Sequence, residues 1–194
     1  MAKLYFKYGA MNSGKSTMLL QSAHNYEERG MRTVILKPQI DTKGADHVVS
    51  RLGVSRQVDY LLKNDDSIHT VIEKDIASNG SLHSIFVDEC QFLTVPQAEE
   101  LFWIAVEMDI PVICYGLRTD FLTNGFAASS RLLELAHSIE ELKTICRCGK
   151  KAMFNARKIN GKFVFRGAQV AIDNENNVEY ESLCPVCYAR EKAK

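Results

Sequence analysis

The sequence predicts an α/β fold in which helices flank a parallel β-sheet, followed by a small second unit with paired cysteines. Short runs rich in Val, Ile, Phe and Tyr alternate with segments of helical periodicity. This alternation favours a parallel sheet with helices on both faces. After Leu142 the pattern changes to close cysteine pairs and short β-like runs. We therefore expect one domain over residues 1–142 and a second over residues 143–194.

Length and composition narrow the classes of protein that the chain can belong to. Its 194 residues suffice for one core and a small satellite, and its 24 basic side chains are balanced by 24 acidic ones. A protein built mainly to grip nucleic acid usually shows a basic excess, so we expect no nucleic-acid partner. The chain has no apolar run long enough to span a bilayer. We therefore expect no membrane partner and a cytoplasmic location.

Strands are predicted where short apolar runs occur, at residues 4–8, 33–36, 84–87 and 112–115. Helices are predicted at residues 14–30, 66–77, 94–108 and 127–136. In the first helix Met18, Leu19, Ala23 and Tyr26 should form the buried side. The third helix has a clear start, since Thr94 is followed three residues later by Gln97. Residues 38–57 show little periodicity and are expected to form a long loop.

A phosphate-binding loop is predicted between the first strand and the first helix. The run from Gly9 to Ser16 reads Gly-Ala-Met-Asn-Ser-Gly-Lys-Ser and fits the pattern G-x-x-x-x-G-K-[ST]. Glycines let successive N–H groups converge on phosphate oxygens, and Lys15 adds a full positive charge beside the helix N-terminus. The Ser16 hydroxyl suits Mg²⁺. The sequence therefore predicts a P-loop (RecA-like) sheet whose loop binds the phosphates of a nucleotide together with Mg²⁺.

Two acids, Asp88 and Glu89, end the apolar run at residues 84–87. In parallel sheets the carboxyl end of such a strand lies beside the bound nucleotide. Asp88 is then expected to hold Mg²⁺, directly or through water. Glu89 remains free to accept the proton of whatever group attacks the γ-phosphate. The two acids alone leave open whether that group is water or a substrate alcohol.

Four cysteines predict a structural zinc site near the C-terminus. They form two close pairs, Cys146 with Cys148 and Cys184 with Cys187. Two tight pairs flanking an insert are typical of tetrahedral zinc bound by four thiolates. Such a metal stabilises a unit too small to hold itself together. The two other cysteines, Cys90 and Cys114, lie in apolar runs and are expected to be small buried hydrophobes.

Taken together, these features resemble the compact, zinc-containing type II thymidine kinases, and most closely their enterobacterial-like branch. The likeness extends over nearly the whole chain. It depends on four segments, each close to a motif of the family: residues 10–17, 86–93, 114–121 and 142–149. The resemblance implies transfer of the ATP γ-phosphate to the 5'-hydroxyl of thymidine, and of deoxyuridine, to give the monophosphate and ADP in pyrimidine salvage.

The resemblance also implies roles for individual residues. Catalysis is expected from Glu89, as the proton acceptor for the 5'-hydroxyl, and from Lys15. Contacts with ATP and Mg²⁺ are expected from Gly9, Ala10, Met11, Asn12, Ser13, Gly14, Lys15, Ser16, Thr17, Asp88 and Gln91. Contacts with thymine are expected from Met11, Phe92, Leu117, Phe121 and Tyr180. Zinc is expected to be bound by Cys146, Cys148, Cys184 and Cys187.

The same resemblance implies a lasso loop, between the two cysteine pairs, whose backbone reads the polar edge of thymine. It further implies a homotetramer and feedback inhibition by thymidine triphosphate. An alternative of another class is a zinc-ribbon P-loop ATPase acting on nucleic acid, in which Glu89 activates water. That alternative lacks a basic stripe interleaved with aromatic residues, because the chain as a whole is neutral.

Overall fold

The computed structural model describes residues 1–39, 46–169 and 177–194. In chain order its strands are β1 (Leu4–Tyr8), β2 (Thr33–Pro38), β3 (His47–Val49), β4 (Ser55–Gln57), β5 (Tyr60–Leu62), β6 (Ser84–Val87), β7 (Val112–Gly116), β8 (Ser138–Glu141), β9 (Thr144–Ile145), β10 (Lys151–Ala152), β11 (Phe154–Ile159), β12 (Lys162–Val164) and β13 (Val178–Leu183). The helices are α1 (Lys15–Glu27), α2 (Ile68–Asn79), α3 (Val95–Glu107), α4 (Ala127–Leu135) and α5 (Pro185–Lys192).

A six-stranded sheet in the order β5-β2-β6-β7-β1-β8 forms the centre of the molecule. Each neighbouring pair runs parallel, as the sequence predicts. The helices cover two apolar faces, one built around Phe6 and Val87 and the other around Ile35 and Phe86. Because the sheet is parallel, the carboxyl ends of β1, β6 and β7 meet at one edge. That edge carries the predicted phosphate loop and the two acids.

The four predicted helices are confirmed in place, with small errors at the ends, whereas the fifth helix, α5 at Pro185–Lys192, was not predicted. Helix α3 begins at a complete capping box, in which Thr94 and Gln97 each accept a hydrogen bond from the other's backbone N–H. Helix α2 begins after Ser67, whose hydroxyl caps it, and so starts two residues later than predicted. One buried position is wrong, since Met18 is 37% exposed and faces the cavity above the phosphate loop.

The prediction of one long loop over residues 38–57 is wrong for its second half. There β3 and β4 form an antiparallel hairpin. Val48 of this hairpin is fully buried in the cluster that includes Leu19 of α1. In the turn, Ser50 exchanges a 2.8 Å hydrogen bond with Thr17 of α1. The hairpin therefore lies against the start of α1; residues 40–45 lie outside the described part.

A separate apolar cluster organises the C-terminal part. A three-stranded antiparallel sheet, β12-β11-β13, and the short pair β9-β10 surround it together with α5. The predicted β-like runs thus form the β11–β12 hairpin, and β13 returns alongside β11. The predicted lasso includes residues 170–176, which lie outside the described part. Among the residues that the structure does describe, none belongs to a helix long and apolar enough to cross a membrane.

Candidate active site

The phosphate loop is held in a tight curl between β1 and α1. The N–H of Gly9 donates to the carbonyl of Gly116 at 3.3 Å. A Cβ at Gly9 would lie 2.4 Å from Ser13 Oγ and 2.5 Å from the carbonyl oxygen of Leu142, so only glycine fits here. Asn12 and Gly14 both adopt positive φ, of 67° and 80°. These left-handed residues turn the backbone so that the loop wraps around a central space.

The ammonium of Lys15 occupies that central space. Its Nζ donates to the carbonyls of Ala10 at 2.9 Å and Gly9 at 3.3 Å. Burial lowers the pKa of Lys15, and the nearby charges of Glu89 and Asp88 partly offset this effect. The cation thus has only weak neutral partners within the loop. An anionic phosphate entering the curl would provide the stronger partner that burial demands.

Asp88 and Glu89 lie at the end of β6, as predicted. Asp88 is only 4% exposed. Burial and the neighbouring charge of Glu89 raise the pKa of Asp88 to about 7. Glu89 adopts φ = 50°, an uncommon conformation for a residue with a side chain. Two adjacent acids that repel each other in a partly buried place form a donor set suited to Mg²⁺, which prefers oxygen ligands.

Gln91 connects Glu89 to the neighbouring strand. Its Nε2 donates to Glu89 Oε2 at 2.5 Å, and its Oε1 accepts from the N–H of Leu117 at 3.0 Å. The side chain is 3% exposed, so both ends of the amide are used inside the protein. Gln91 therefore fixes the direction of the Glu89 carboxylate.

A cavity of about 820 Å³ lies above the loop. Its lining includes the loop residues from Met11 to Thr17, the catalytic candidate Glu89 and the predicted thymine contact Leu117. The far wall comes from the β3–β4 hairpin through Val49, Arg51 and Leu52. An ammonium, a carboxylate and an apolar side chain thus face one space large enough for a nucleotide and a small second substrate.

The predicted thymine contacts fall into separate groups. Met11 and Leu117 line the cavity, whereas Phe121 and Tyr180 lie together beside Arg157. Phe92 packs edge to face on Phe126, with ring centroids 5.6 Å apart. Of the five side chains, only those of Met11 and Leu117 belong to the lining of this cavity.

Several residues that shape the site were missed by the sequence reasoning. Arg51 lies in a turn that looked like an irregular loop. Asn155 and Arg157 alternate with apolar residues on β11, and Ser182 lies on β13, yet all three are at least 93% buried, with exposures of 4%, 3% and 7%. The signal in the sequence is the spacing of Asn155 and Arg157, since polar residues two positions apart in a β-like run lie on the same face of a strand.

The four predicted zinc ligands come together. The Sγ atoms of Cys146, Cys148, Cys184 and Cys187 all lie within 4.8 Å of one another. Zinc–sulfur bonds of about 2.3 Å in a tetrahedron require sulfur atoms about 3.8 Å apart, so the cluster fits this metal. The N–H of Cys187 lies 3.4 Å from Cys184 Sγ and lowers the pKa of that thiol to about 6. The remaining pair, Cys90 and Cys114, is fully buried as expected.

The parallel sheet, the phosphate loop and the acids at the end of β6 define a P-loop nucleotide-binding enzyme. The comparisons with known proteins give the family. A family model described as thymidine kinase matches residues 2–188. The chain belongs to the thymidine kinase family.

Curated thymidine kinases are similar in sequence to this protein over almost the whole chain. A thymidine kinase of Xanthomonas axonopodis pv. citri (strain 306) is 48% identical over 185 residues, covering 94% of this chain and 87% of the relative. That of Yersinia pestis is 47% identical, covering 95% and 93%. That of Legionella pneumophila (strain Paris) is 45% identical, covering 100% and 92%. A solved structure titled as a DNA replication initiation factor is 16% identical with a TM-score of 0.40, covering 73% of this chain and 40% of that one, a likeness too weak for any inference.

Proposed function

We propose that this protein transfers the γ-phosphate of ATP to the 5'-hydroxyl of thymidine, yielding thymidine monophosphate and ADP. The family membership supports this reaction. The single structural observation that carries it is that Lys15, Glu89 and Leu117 face one cavity of about 820 Å³. A phosphate-binding cation, a base and an apolar wall are the parts that such a transfer requires.

The proposed mechanism assigns the chemistry to few groups. The backbone N–H groups of the loop and the Lys15 ammonium bind the ATP phosphates and neutralise charge on the transferring group. Glu89 accepts the proton of the attacking hydroxyl, and Gln91 holds its carboxylate through the 2.5 Å hydrogen bond. Because phosphoryl transfer passes through a loose transition state, the positions of these groups matter more than the strength of the base.

Ser16 and Asp88 are the residues proposed to hold Mg²⁺, which when bound neutralises phosphate charge. Burial and the charge of Glu89 raise the pKa of Asp88, and a bound divalent cation would offset both effects, which supports this assignment. The remaining loop residues, from Gly9 to Thr17, are proposed to contact the phosphates. Gln91 is proposed to act through Glu89.

Thymine is proposed to bind against Met11, Phe92, Leu117, Phe121 and Tyr180. Aromatic faces stack on a pyrimidine, and a closely fitting apolar corner favours the methyl group. The zinc cluster is proposed to stabilise the unit formed by residues 143–194, distinct from the nucleotide-binding unit of residues 1–142. A cytoplasmic location, a homotetramer and feedback inhibition by thymidine triphosphate complete the proposal.

The test is a coupled assay of ADP production with thymidine, deoxyuridine, deoxyadenosine and deoxyguanosine in turn. We expect turnover with thymidine and deoxyuridine, and little with deoxyadenosine or deoxyguanosine. Lys15→Ala is the matched negative control, since it removes the loop cation. Equal use of all four nucleosides would contradict the proposal. ATP hydrolysis stimulated by DNA but not by thymidine would favour the ATPase alternative instead.

A further inference from the structure

Two side chains of the C-terminal part hold the backbone of one residue in the phosphate loop. The N–H of Met11 donates to Asn155 Oδ1 at 2.8 Å. Ser182 Oγ donates to the carbonyl oxygen of Met11 at 2.6 Å. Both side chains are nearly inaccessible, with exposures of 4% for Asn155 and 7% for Ser182. The donor and the acceptor of a single loop residue are thus both satisfied from outside the loop.

The two side chains act from a rigid place. Asn155 on β11 and Ser182 on β13 are directly opposite each other in the antiparallel ladder. Their side chains project to the same face of the sheet because opposed residues share a face. We name this pair the Met11 anchor. Because both side chains are almost completely buried, packing restricts their rotamers and holds their polar atoms in place.

Because Met11 precedes the turn of the phosphate loop, its hydrogen bonds influence the direction of the next N–H group in the loop. Asn12 follows with φ = 67° and begins the turn into Gly14 and Lys15. The peptide group between Met11 and Asn12 carries both the anchored carbonyl and the N–H of Asn12. Fixing the carbonyl therefore fixes the direction of that N–H. Loop N–H groups that already point in the right direction lower the ordering cost of binding phosphate.

We propose that Asn155 and Ser182 are positioning residues that set the conformation of the phosphate loop for ATP. This proposal deepens the proposed function and rests on it for the identity of the nucleotide. The Met11 anchor belongs to the C-terminal part, so the loop's geometry depends on a unit beyond the parallel sheet. The same two strands carry the neighbouring pair Arg157 and Tyr180, which contacts the backbone that leads into residues 170–176.

The experiment compares four anchor variants with the full-length protein. Asn155→Leu and Ser182→Ala each remove one hydrogen bond to Met11. Asn155→Asp keeps an acceptor for the N–H, and Ser182→Thr keeps a hydroxyl donor. Lys158→Ala is the matched control, because it breaks an ion pair with Glu181 within the same two strands and leaves the loop untouched.

Two measurements test whether the Met11 anchor positions the phosphate loop, and neither requires catalytic turnover. The first is hydrogen exchange of the peptide that contains Met11. The second is the Kd of a non-hydrolysable ATP analogue with Mg²⁺, measured without nucleoside. We expect Asn155→Leu and Ser182→Ala to exchange faster and to raise the Kd by about tenfold, the scale of one lost hydrogen bond. Asn155→Asp and Ser182→Thr should restore protection of the loop, and Ser182→Thr should also restore the Kd.

If the hydrogen exchange of the Met11 peptide and the Kd of the ATP analogue were unchanged in both Asn155→Leu and Ser182→Ala, the proposal would be overturned. An equal effect in Lys158→Ala would also overturn it, because general loosening of the C-terminal part would then explain the change. Zinc content and thermal unfolding identify variants that have not folded. If Ser182→Ala fails to fold, the comparison of Asn155→Leu with Asn155→Asp decides. Absence of nucleoside phosphorylation by the parent protein would sink the proposed function and leave these binding measurements valid.

Discussion

The guanidinium carbon of Arg157 lies 3.7 Å from the centre of the Phe121 ring. The same side chain donates from Nε to the Tyr180 hydroxyl at 3.0 Å, and from its two terminal nitrogens to the carbonyls of Ala168 and Gln169 at 2.9 and 3.1 Å. Arg157 is 3% exposed, so this cation is stabilised by an aromatic face and neutral oxygens. It joins two of the proposed thymine contacts to the backbone entering residues 170–176.

We expect Arg157→Lys to raise KM for thymidine by about tenfold and to leave KM for ATP nearly unchanged. A lysine keeps the charge, but it lacks the planar fork that stacks on Phe121 and donates to three oxygens at once. Steady-state kinetics with each substrate varied in turn provides the measurement. The matched control is Arg166→Lys, an exposed arginine nearby. A normal KM for thymidine in Arg157→Lys would show that the aromatic pair does not need this cation.

Replacement of Glu89 tests the proposed base. Glu89→Gln keeps the size of the side chain and an oxygen for the Gln91 amide, but it cannot take the proton. We expect kcat to fall by on the order of 10² or more, with little change in thymidine binding. Glu107→Gln, an exposed carboxylate at the end of α3, is the control. A near-normal kcat for Glu89→Gln would move the base to another carboxylate.

A buried acid ties α2 to the edge of the sheet. Asp75 is 4% exposed, and its Oδ2 accepts from Arg32 Nη1 at 2.6 Å while its Oδ1 accepts from Tyr60 and Asn79 at 2.9 Å each. Burial raises the pKa of Asp75, but the hydrogen bonds from Arg32, Asn79 and Tyr60 outweigh it and hold the pKa below its ordinary value. The charged form is therefore the one that the fold stabilises.

We expect Asp75→Asn to lower the free energy of unfolding by about 3 kcal/mol at pH 7, because it leaves the Arg32 charge without its partner. A lowered pKa stabilises the fold fully above the unfolded value of about 3.9, and this contribution is lost as pH falls through the folded value. The difference between parent and variant should therefore shrink below about pH 4. Urea unfolding at several pH values measures it, with the exposed Asp65→Asn as control. A constant difference down to pH 3 would argue against the ion pair as its source.

Removal of one thiolate tests the zinc site. Cys184→Ser should lose the metal and make the part from Cys146 onward sensitive to protease, while the parallel sheet stays folded. Metal content and limited proteolysis are the measurements. Cys90→Ala removes a buried thiol outside the cluster and should keep its zinc. A zinc-free Cys184→Ser protein with the protease resistance of the parent would exclude a structural role for the metal.

Much of the fold follows from local sequence patterns. The phosphate loop needs a strand before it and a helix after it, and the capping box of Thr94 and Gln97 marks the start of α3. Both signals lie within a few residues, so one sequence suffices. Strands β5 and β8 were missed because each is short and lies at an edge of the sheet. Strand β8 carries two glutamates and is mostly exposed, so it lacks the apolar run that marks an inner strand.

The site was predictable where a motif carries it and unpredictable where distant segments meet. Lys15 and Glu89 belong to motifs with a known context. Asn155 contacts Met11 across 144 positions of the chain, and no spacing rule links them. The hairpin of β3 and β4 was also unpredicted. Val48 and Val49 of β3 are consecutive apolar residues and β4 contains no apolar residue, so neither strand shows the alternation that would indicate it.

The strand order has a consequence for how the protein is made. Leu4 of β1 pairs with Val112 of β7, and Tyr5 pairs with Ser138 of β8. Strand β1, which is the first strand to leave the ribosome, therefore cannot pair with β7 and β8 until most of the chain has been synthesised. Contacts so distant along the chain slow folding, because their loops must close before pairing stabilises them. The phosphate loop, although its residues are translated among the first, reaches its final shape among the last.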